Sequence, residues 1–376
     1  MNAKKSAEPE GPVWPPLARL NPDLIAQEAA EKTLLDAFHG GRMAHAWMFT
    51  GPRGIGKATL ACRFARYVLA HGGGNEGSGL FGDALPPTLP ESLYVDPETA
   101  VFQRFSAGGH GDFLSVERSL NDRGKLRGEI VVDDVREVGG FLSLTASEGG
   151  WRVVVIDSAD EMNRNAANAV LKVLEEPPDR AILILVSHNP GRLLPTIRSR
   201  CRKLNLATLN GDDMETLLVR YAPNLSDEDR AILKELSDGS IGSAMRLIEA
   251  GGIDLYRSAL ELLETLPELN IVQLHAFADQ LSKAGAEDRF VTAMDLVRTI
   301  LARLLRFCAE GAVGHQPFSS ERVLFERIGP ATSLDRWLEV WEKVCGLLER
   351  AGAVNLDRKQ VVLNVFLEIQ GVLRNR

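Results

Sequence analysis

Gly51-Pro52-Arg53-Gly54-Ile55-Gly56-Lys57-Ala58-Thr59 decides the reading of this chain. A Gly-x4-Gly-Lys spacing makes a loop whose backbone N–H groups face phosphate at the positive end of the helix that follows. In a complete loop the next residue is Ser or Thr, and its hydroxyl ligates Mg²⁺. Here it is Ala58. Thr59 is no simple substitute, since one step along a helix turns a side chain by about 100°. The apolar run Ala46-Trp47-Met48-Phe49 predicts a buried strand before the loop. Leu60, Phe64 and Val68 predict a helix from Lys57 to Leu69 after it. This order favours a phosphate cradle over an ordinary Gly-rich turn. Gly51, Arg53, Gly54, Gly56, Lys57 and Thr59 are its candidate contacts, in a fold expected to have given up hydrolysis.

Outward from the loop, the polar stretch to about Pro16 precedes a helix expected from Gln27 to Phe38. Residues 71–111, rich in Gly and Pro, predict a long loop or partly disordered insertion. Further strands are expected at Phe113–Val116, Trp151–Asp157, Ala181–Ser187 and Lys203–Leu206, with Asp133-Asp134 capping an intervening helix. Almost wholly apolar strands alternating with helices imply a parallel sheet covered on both faces. Residues 208–253 predict three short helices, and from Ile253 onward the apolar spacing is helical almost throughout.

The chain has 376 residues and a net charge of −8. That length predicts two or three domains, and that charge argues against a protein that wraps nucleic acid unaided. No apolar run reaches the roughly 18 residues of a membrane helix, and the polar N-terminus is unlike a signal peptide, so a cytoplasmic location without membrane contact is expected. Cys62, Cys201, Cys308 and Cys345 lie far apart, suggesting buried thiols rather than disulfides or a zinc site.

Two more stretches fall where a nucleotide site needs them. Arg152-Val-Val-Val-Ile-Asp157 is an apolar strand ending in a carboxylate, suited to sit beside phosphate. Ser158 follows, where a hydrolysing protein usually has Glu. Asp160 and Glu161 lie three and four residues beyond the strand end and would reach the site only through an unusual turn. Asn163 to Glu176 predicts a helix stopped by Pro177-Pro178. At the next strand's tip Asn189 is placed to sense a terminal phosphate, with His188 read as a loop residue. Arg198-Ser-Arg-Cys-Arg-Lys203 puts four cations in six residues, either a solvated strand end or a place to meet phosphate.

The glycine loop, Asn168-Ala-Val-Leu-Lys-Val-Leu-Glu-Glu-Pro-Pro178 and Arg198-Ser-Arg-Cys201 together resemble the bacterial sliding-clamp loader family of AAA+ proteins, over most of residues 20–250. The resemblance implies a RecA-like α/β AAA+ domain with a five-stranded parallel sheet (17–207), a helical lid (208–253) and an all-α collar (254–376). It implies that Arg200 reaches into a neighbour's ATP site as an arginine finger, where a planar permanent cation stabilises γ-phosphate charge. Motor (gamma/tau) and delta subunits, the sliding clamp and, through the complex, primed DNA are the implied partners. Ala58, Ser158 and the absence of a lid arginine directly after Gly239-Ser-Ile-Gly242 depart from the family's motor pattern. Arg246 comes four residues later. ATP or ADP at a degenerate site stays open. No zinc is expected, because the segment after the loop helix lacks the four cysteines seen in many members. The competing readings are an active ATPase using Asp157 with a displaced acid such as Asp160, and a nucleotide-binding interaction module outside replication.

Overall fold

The computed structural model describes residues 15–73, 90–122, 124–147, 150–310, 319–354 and 356–374. They form two compact units that divide after Leu217.

In the first unit, α1 (Glu28–His39), β1 (Ala46–Thr50) and α2 (Lys57–His71) lead into α3 (Ala100–Ser106), β2 (Phe113–Val116) and α4 (Val132–Ser143). Then come β3 (Arg152–Ile156), α5 (Arg164–Glu175), β4 (Ala181–Ser187), the short α6 (Pro195–Arg198) and β5 (Arg202–Asn205). The five strands are parallel, in the order β2-β3-β4-β1-β5. This is the RecA-like arrangement, with β1 and its following loop in the interior of the sheet. Alternate residues of β1, β3 and β4 serve opposite cores. Trp47, Phe49, Val153, Val155, Ile182 and Ile184 pack on the α1 and α2 side. Met48, Val154, Ile156, Leu183 and Leu185 pack on the α4 and α5 side. Burial on both faces is why these strands read as continuous apolar runs.

Two expectations need correction. The 71–111 insertion is not a long loop in its described part, while 74–89 lies outside the described residues. Helix α2 runs to His71, and α3 forms with Thr99 as its N-cap, the Thr99 hydroxyl accepting from Phe102 N–H at 3.3 Å. Leu93, Val95, Phe102 and Phe105 are buried in the α2-side core, which offsets the ordering entropy that the Gly and Pro content suggested would prevail. Helix α4 begins one residue before Asp133-Asp134, and only Asp134 caps it, accepting from Val131 N–H at 2.8 Å.

A strap before α1 is fastened by two buried arginines of α2. Arg66 donates to Arg19 O (2.8 Å) and Asn21 O (2.5 Å) and stacks its guanidinium over Phe102. Arg63 donates to Pro22 O and pairs with Glu31 at 3.0 Å. Gln27, in left-handed backbone conformation, donates from its amide to Ala207 O at 2.7 Å. These bonds fix the strap where Leu24 touches Gly56.

The second unit is helical. It begins within α7 (Gly211–Tyr221) and continues through α8 (Asp227–Leu236), α9 (Ile241–Glu249), α10 (Gly252–Glu264) and α11 (Ile271–Leu281). Helices α12 (Glu287–Glu310), α13 (Ser319–Ile328), α14 (Leu334–Val354) and α15 (Arg358–Arg374) complete it. One core, holding Tyr256, Phe277, Met294, Phe325, Trp337 and Phe366, binds α8 and α10–α15 together. Helices α8 and α9 open on Ser226 and Ser240, whose hydroxyls accept from Asp229 and Ser243 N–H, both at 3.1 Å.

Candidate nucleotide site and the Arg200 edge

The parallel strands bring four C-terminal tips to one edge of the sheet: Gly51 after β1, Glu117 after β2, Asp157 after β3 and His188-Asn189 after β4. Ligands of open α/β sheets bind along this edge. The loop has the backbone its glycines promised, with positive φ at Gly51 (142°), Gly54 (79°) and Gly56 (96°). At Gly51 a Cβ would lie 2.7 Å from Leu206 O, so the glycine there serves close packing as well as conformation. Gly56 is the N-cap of α2, which leaves that helix's first N–H groups available to an anion.

Lys57 is almost fully buried and donates to the loop's own carbonyls, Gly51 O at 2.7 Å and Pro52 O at 2.5 Å. Burial lowers its pKa to about 8 against the attraction of Asp157 and Asp160. Burial and the neighbouring Glu117 carboxylate raise Asp157, against Lys57 and Arg53. The loop therefore joins a poised cation to a carboxylate that holds its proton more tightly than usual. Ala58 presents a methyl group at the position of a metal-binding hydroxyl. The phosphate cradle fits a nucleotide, whereas the donor set lacks the loop oxygen that would hold Mg²⁺.

The unusual turn after β3 is present. Ser158 takes left-handed geometry (φ 60°, ψ 50°), an uncommon state for a residue with a Cβ, and a single 3₁₀ turn, Ala159–Glu161, follows. This is the unusual turn on which their reach depended, and it folds Asp160 and Glu161 back toward the loop. Asp160 is committed elsewhere: its carboxylate accepts from His188 N–H at 2.8 Å and Asn189 N–H at 3.0 Å. Burial alone would raise its pKa, but the amides directed at it outweigh that and hold it below the usual carboxylate range. Ser158 Oγ lies 3.1 Å from His188 Nε2. His188 thus ties β4 to β3, while the exposed Asn189 sits at the β4 tip.

Glu161 bridges Arg118 at 2.9 Å and Arg53 of the loop at 3.9 Å. Sequence reading missed Arg118 and Glu117. The visible signal was their place directly after an apolar run, as with Asp157. Thr59, in the first turn of α2, is half-buried.

Arg200 belongs to a different part of the unit. It follows α6, donates to Thr196 O at 3.2 Å and pairs with Glu175 at 3.1 Å. Glu175 is the first glutamate of Leu174-Glu-Glu-Pro-Pro178, so two motifs far apart in sequence meet here. Both partners are solvent-accessible, with side chains 37% and 51% exposed. An ion pair of this kind contributes about 0–1 kcal/mol and exchanges readily for a stronger anion. Arg246, on α9 in the helical unit, donates to Ser243 Oγ at 2.9 Å and with Arg289 lines a cavity of about 640 Å³ between α9 and α12.

Residues 87–210 match the family described as DNA polymerase III, delta subunit. The Pseudomonas aeruginosa DNA polymerase III subunit delta′ is 37% identical over 210 residues, 55% of this chain and 57% of that protein. This chain is similar to DNA polymerase III delta′ and gamma/tau subunits. The Buchnera aphidicola gamma subunit is 27% identical over 68% of this chain and 64% of its own length. For the Bacillus subtilis tau subunit the figures are 25%, 73% and 46%. The chain thus spans about half to two thirds of these relatives. A solved Thermotoga maritima gamma-subunit-related protein aligns over 93% of this chain and 100% of its own, with 16% identity and a TM-score of 0.42. Among the described residues no helix is long and apolar enough to cross a membrane.

Proposed function

We propose that this chain is a non-hydrolysing, delta-prime-like subunit of a DNA polymerase III clamp loader. In this reading it works in the cytoplasm beside motor (gamma/tau) and delta subunits, helps place the sliding clamp on primed DNA, and donates Arg200 to a neighbour's ATP site. The observation that carries the reading is the phosphate cradle, intact at Gly51, Gly54, Gly56 and Lys57 and lacking its metal-binding hydroxyl at Ala58. Ser158 supports it, because the water-polarising carboxylate is missing and Asp160 is committed to two backbone amides. The exposure of Arg200 on a weak surface pair supports the donor role, since a finger must leave its resting partner at little cost.

Chemically, the chain's own residues can bind and orient phosphate: loop amides donate, Lys57 neutralises charge, and Asn189 stands at the strand tip. Nothing in this set activates water. The test is ATP turnover by the isolated chain beside Lys57→Ala. The proposal expects equal background rates in both. Turnover by the wild type that Lys57→Ala abolishes would make the chain a motor.

A further inference from the structure

At the nucleotide edge the parts of a phosphate site and the parts of a metal site can be told apart oxygen by oxygen. Mg²⁺ demands a near-ideal octahedron of oxygens at about 2.0–2.1 Å and gives up its water reluctantly, so it joins a nucleotide to a protein only where a protein oxygen stands against the phosphates. In a glycine-loop site that oxygen is the hydroxyl after the lysine. Here the position holds the Ala58 methyl.

The neighbouring oxygens do not replace it. Thr50, directly before the loop, donates its hydroxyl to the Asn205 side chain at 2.5 Å. Ser158 Oγ lies 3.1 Å from His188 Nε2. Thr59 is half-buried one step round α2, about 100° from Ala58. The two oxygens of Asp160 accept one amide each, from His188 and Asn189. Glu161 lies between Arg118 at 2.9 Å and Arg53 at 3.9 Å. Of the carboxylates named at this edge, Asp157 and Glu117 are left, on the tips of neighbouring strands. Without the loop oxygen, that pair does not supply the octahedron for which Mg²⁺ surrenders its water.

The phosphate-binding parts act on the charge of the nucleotide itself. They are Lys57, the first N–H groups of α2 and the loop shaped by Gly51, Gly54 and Gly56. A free nucleoside diphosphate brings them its full negative charge, and chelated Mg²⁺ cancels part of it. Hydrogen bonds to a more charged acceptor are the stronger ones. The metal thus gains no ligand from this loop and weakens the contacts that the loop makes.

We propose that this site takes the nucleotide in its metal-free form: free nucleoside diphosphate binds the cradle, and Mg²⁺ adds nothing to its affinity. The proposal rests on the nucleotide-binding reading above and goes beyond it by naming the species bound.

The test is isothermal titration calorimetry of the full chain with ADP at pH 7, once with excess Mg²⁺ and once with EDTA. The Kd in EDTA should be tighter than in Mg²⁺ or within about threefold of it. Ala58→Ser restores the hydroxyl, and should tighten ADP by at least about fivefold in Mg²⁺ while leaving the EDTA value unchanged, as one added charge-assisted contact does. Lys57→Met should weaken ADP in both buffers alike. Wild-type affinity that rises at least about fivefold with Mg²⁺ overturns the proposal and leaves the nucleotide-binding reading standing. Undetectable ADP binding in both buffers overturns that reading and the proposal with it. A folded Ala58→Ser variant indifferent to Mg²⁺, or Lys57→Met binding like wild type, also overturns the proposal, by removing the effect from Ala58 or the ligand from the cradle. Should Ala58→Ser not fold, the two wild-type titrations decide alone.

Discussion

Asp160→Asn probes the turn that joins β3 to β4 at the nucleotide edge. The Asp160 carboxylate accepts the N–H groups of His188 and Asn189 at 2.8 and 3.0 Å. Hydrogen bonds to a charged group contribute about 1.5–3 kcal/mol each. Asparagine keeps one acceptor oxygen, loses the charge and turns an amide donor toward one of the two N–H groups. The net cost is therefore about 2 kcal/mol, or roughly thirtyfold in a local opening equilibrium. Hydrogen exchange at pH 7 should show His188 and Asn189 exchanging about thirtyfold faster in the variant, with the β4 interior little changed. The pH dependence has a definite sign. The folded pKa of Asp160 is depressed, so its contribution is complete above the unfolded value of about 3.9 and is lost as pH falls through the folded value. The gap between wild type and variant should close in acid. A change below about threefold at pH 7, or a gap that stays constant as Asp160 is protonated, would refute the assignment of these bonds to a charged carboxylate.

Other consequences concern the loop and its helix. Gly51→Ala adds a Cβ 2.7 Å from Leu206 O at a φ of 142°, and should cost at least about 2 kcal/mol in urea unfolding of the first unit. A cost near zero would show that the loop adapts freely. Because burial lowers Lys57 to about 8, affinity for ADP measured by calorimetry should fall as pH rises through that value in wild type, and Lys57→Met should bind weakly at all pH values. A flat wild-type profile would mean that Lys57 stays charged or takes no part. Burial pushes the Cys62 thiol up to about 12, so Cys62 should resist iodoacetamide at pH 8 until the chain is denatured. Rapid labelling of the native protein would contradict its placement.

The sheet was legible because parallel strands buried on both faces leave a continuous apolar signature, as in Ala181–Ser187, whose ends fall where the pattern put them. The loop was legible because its glycines answer to backbone geometry. Helix α3 was not: Gly and Pro content dominates that stretch, while the burial of Phe102 and Phe105 is a tertiary fact. The return of Asp160 and Glu161 was hidden because it turns on one backbone conformation at Ser158, which residue type does not announce. Glu117 and Arg118 escaped for a related reason: their importance comes from strand order, which sets the β2 tip beside that of β3. Arg200 was visible through its motif, while its resting partner Glu175 required the packing of α5 against α6.

The central claim is that this chain serves a neighbour's ATP site. Its most direct test is ATP turnover by motor subunits reconstituted with this chain, clamp and primed DNA, comparing wild type with Arg200→Ala. The account predicts a fall of at least about tenfold with assembly intact by light scattering, in keeping with the usual contribution of an arginine finger. Unchanged turnover in the assembled complex would contradict it and leave Arg200 as the surface partner of Glu175.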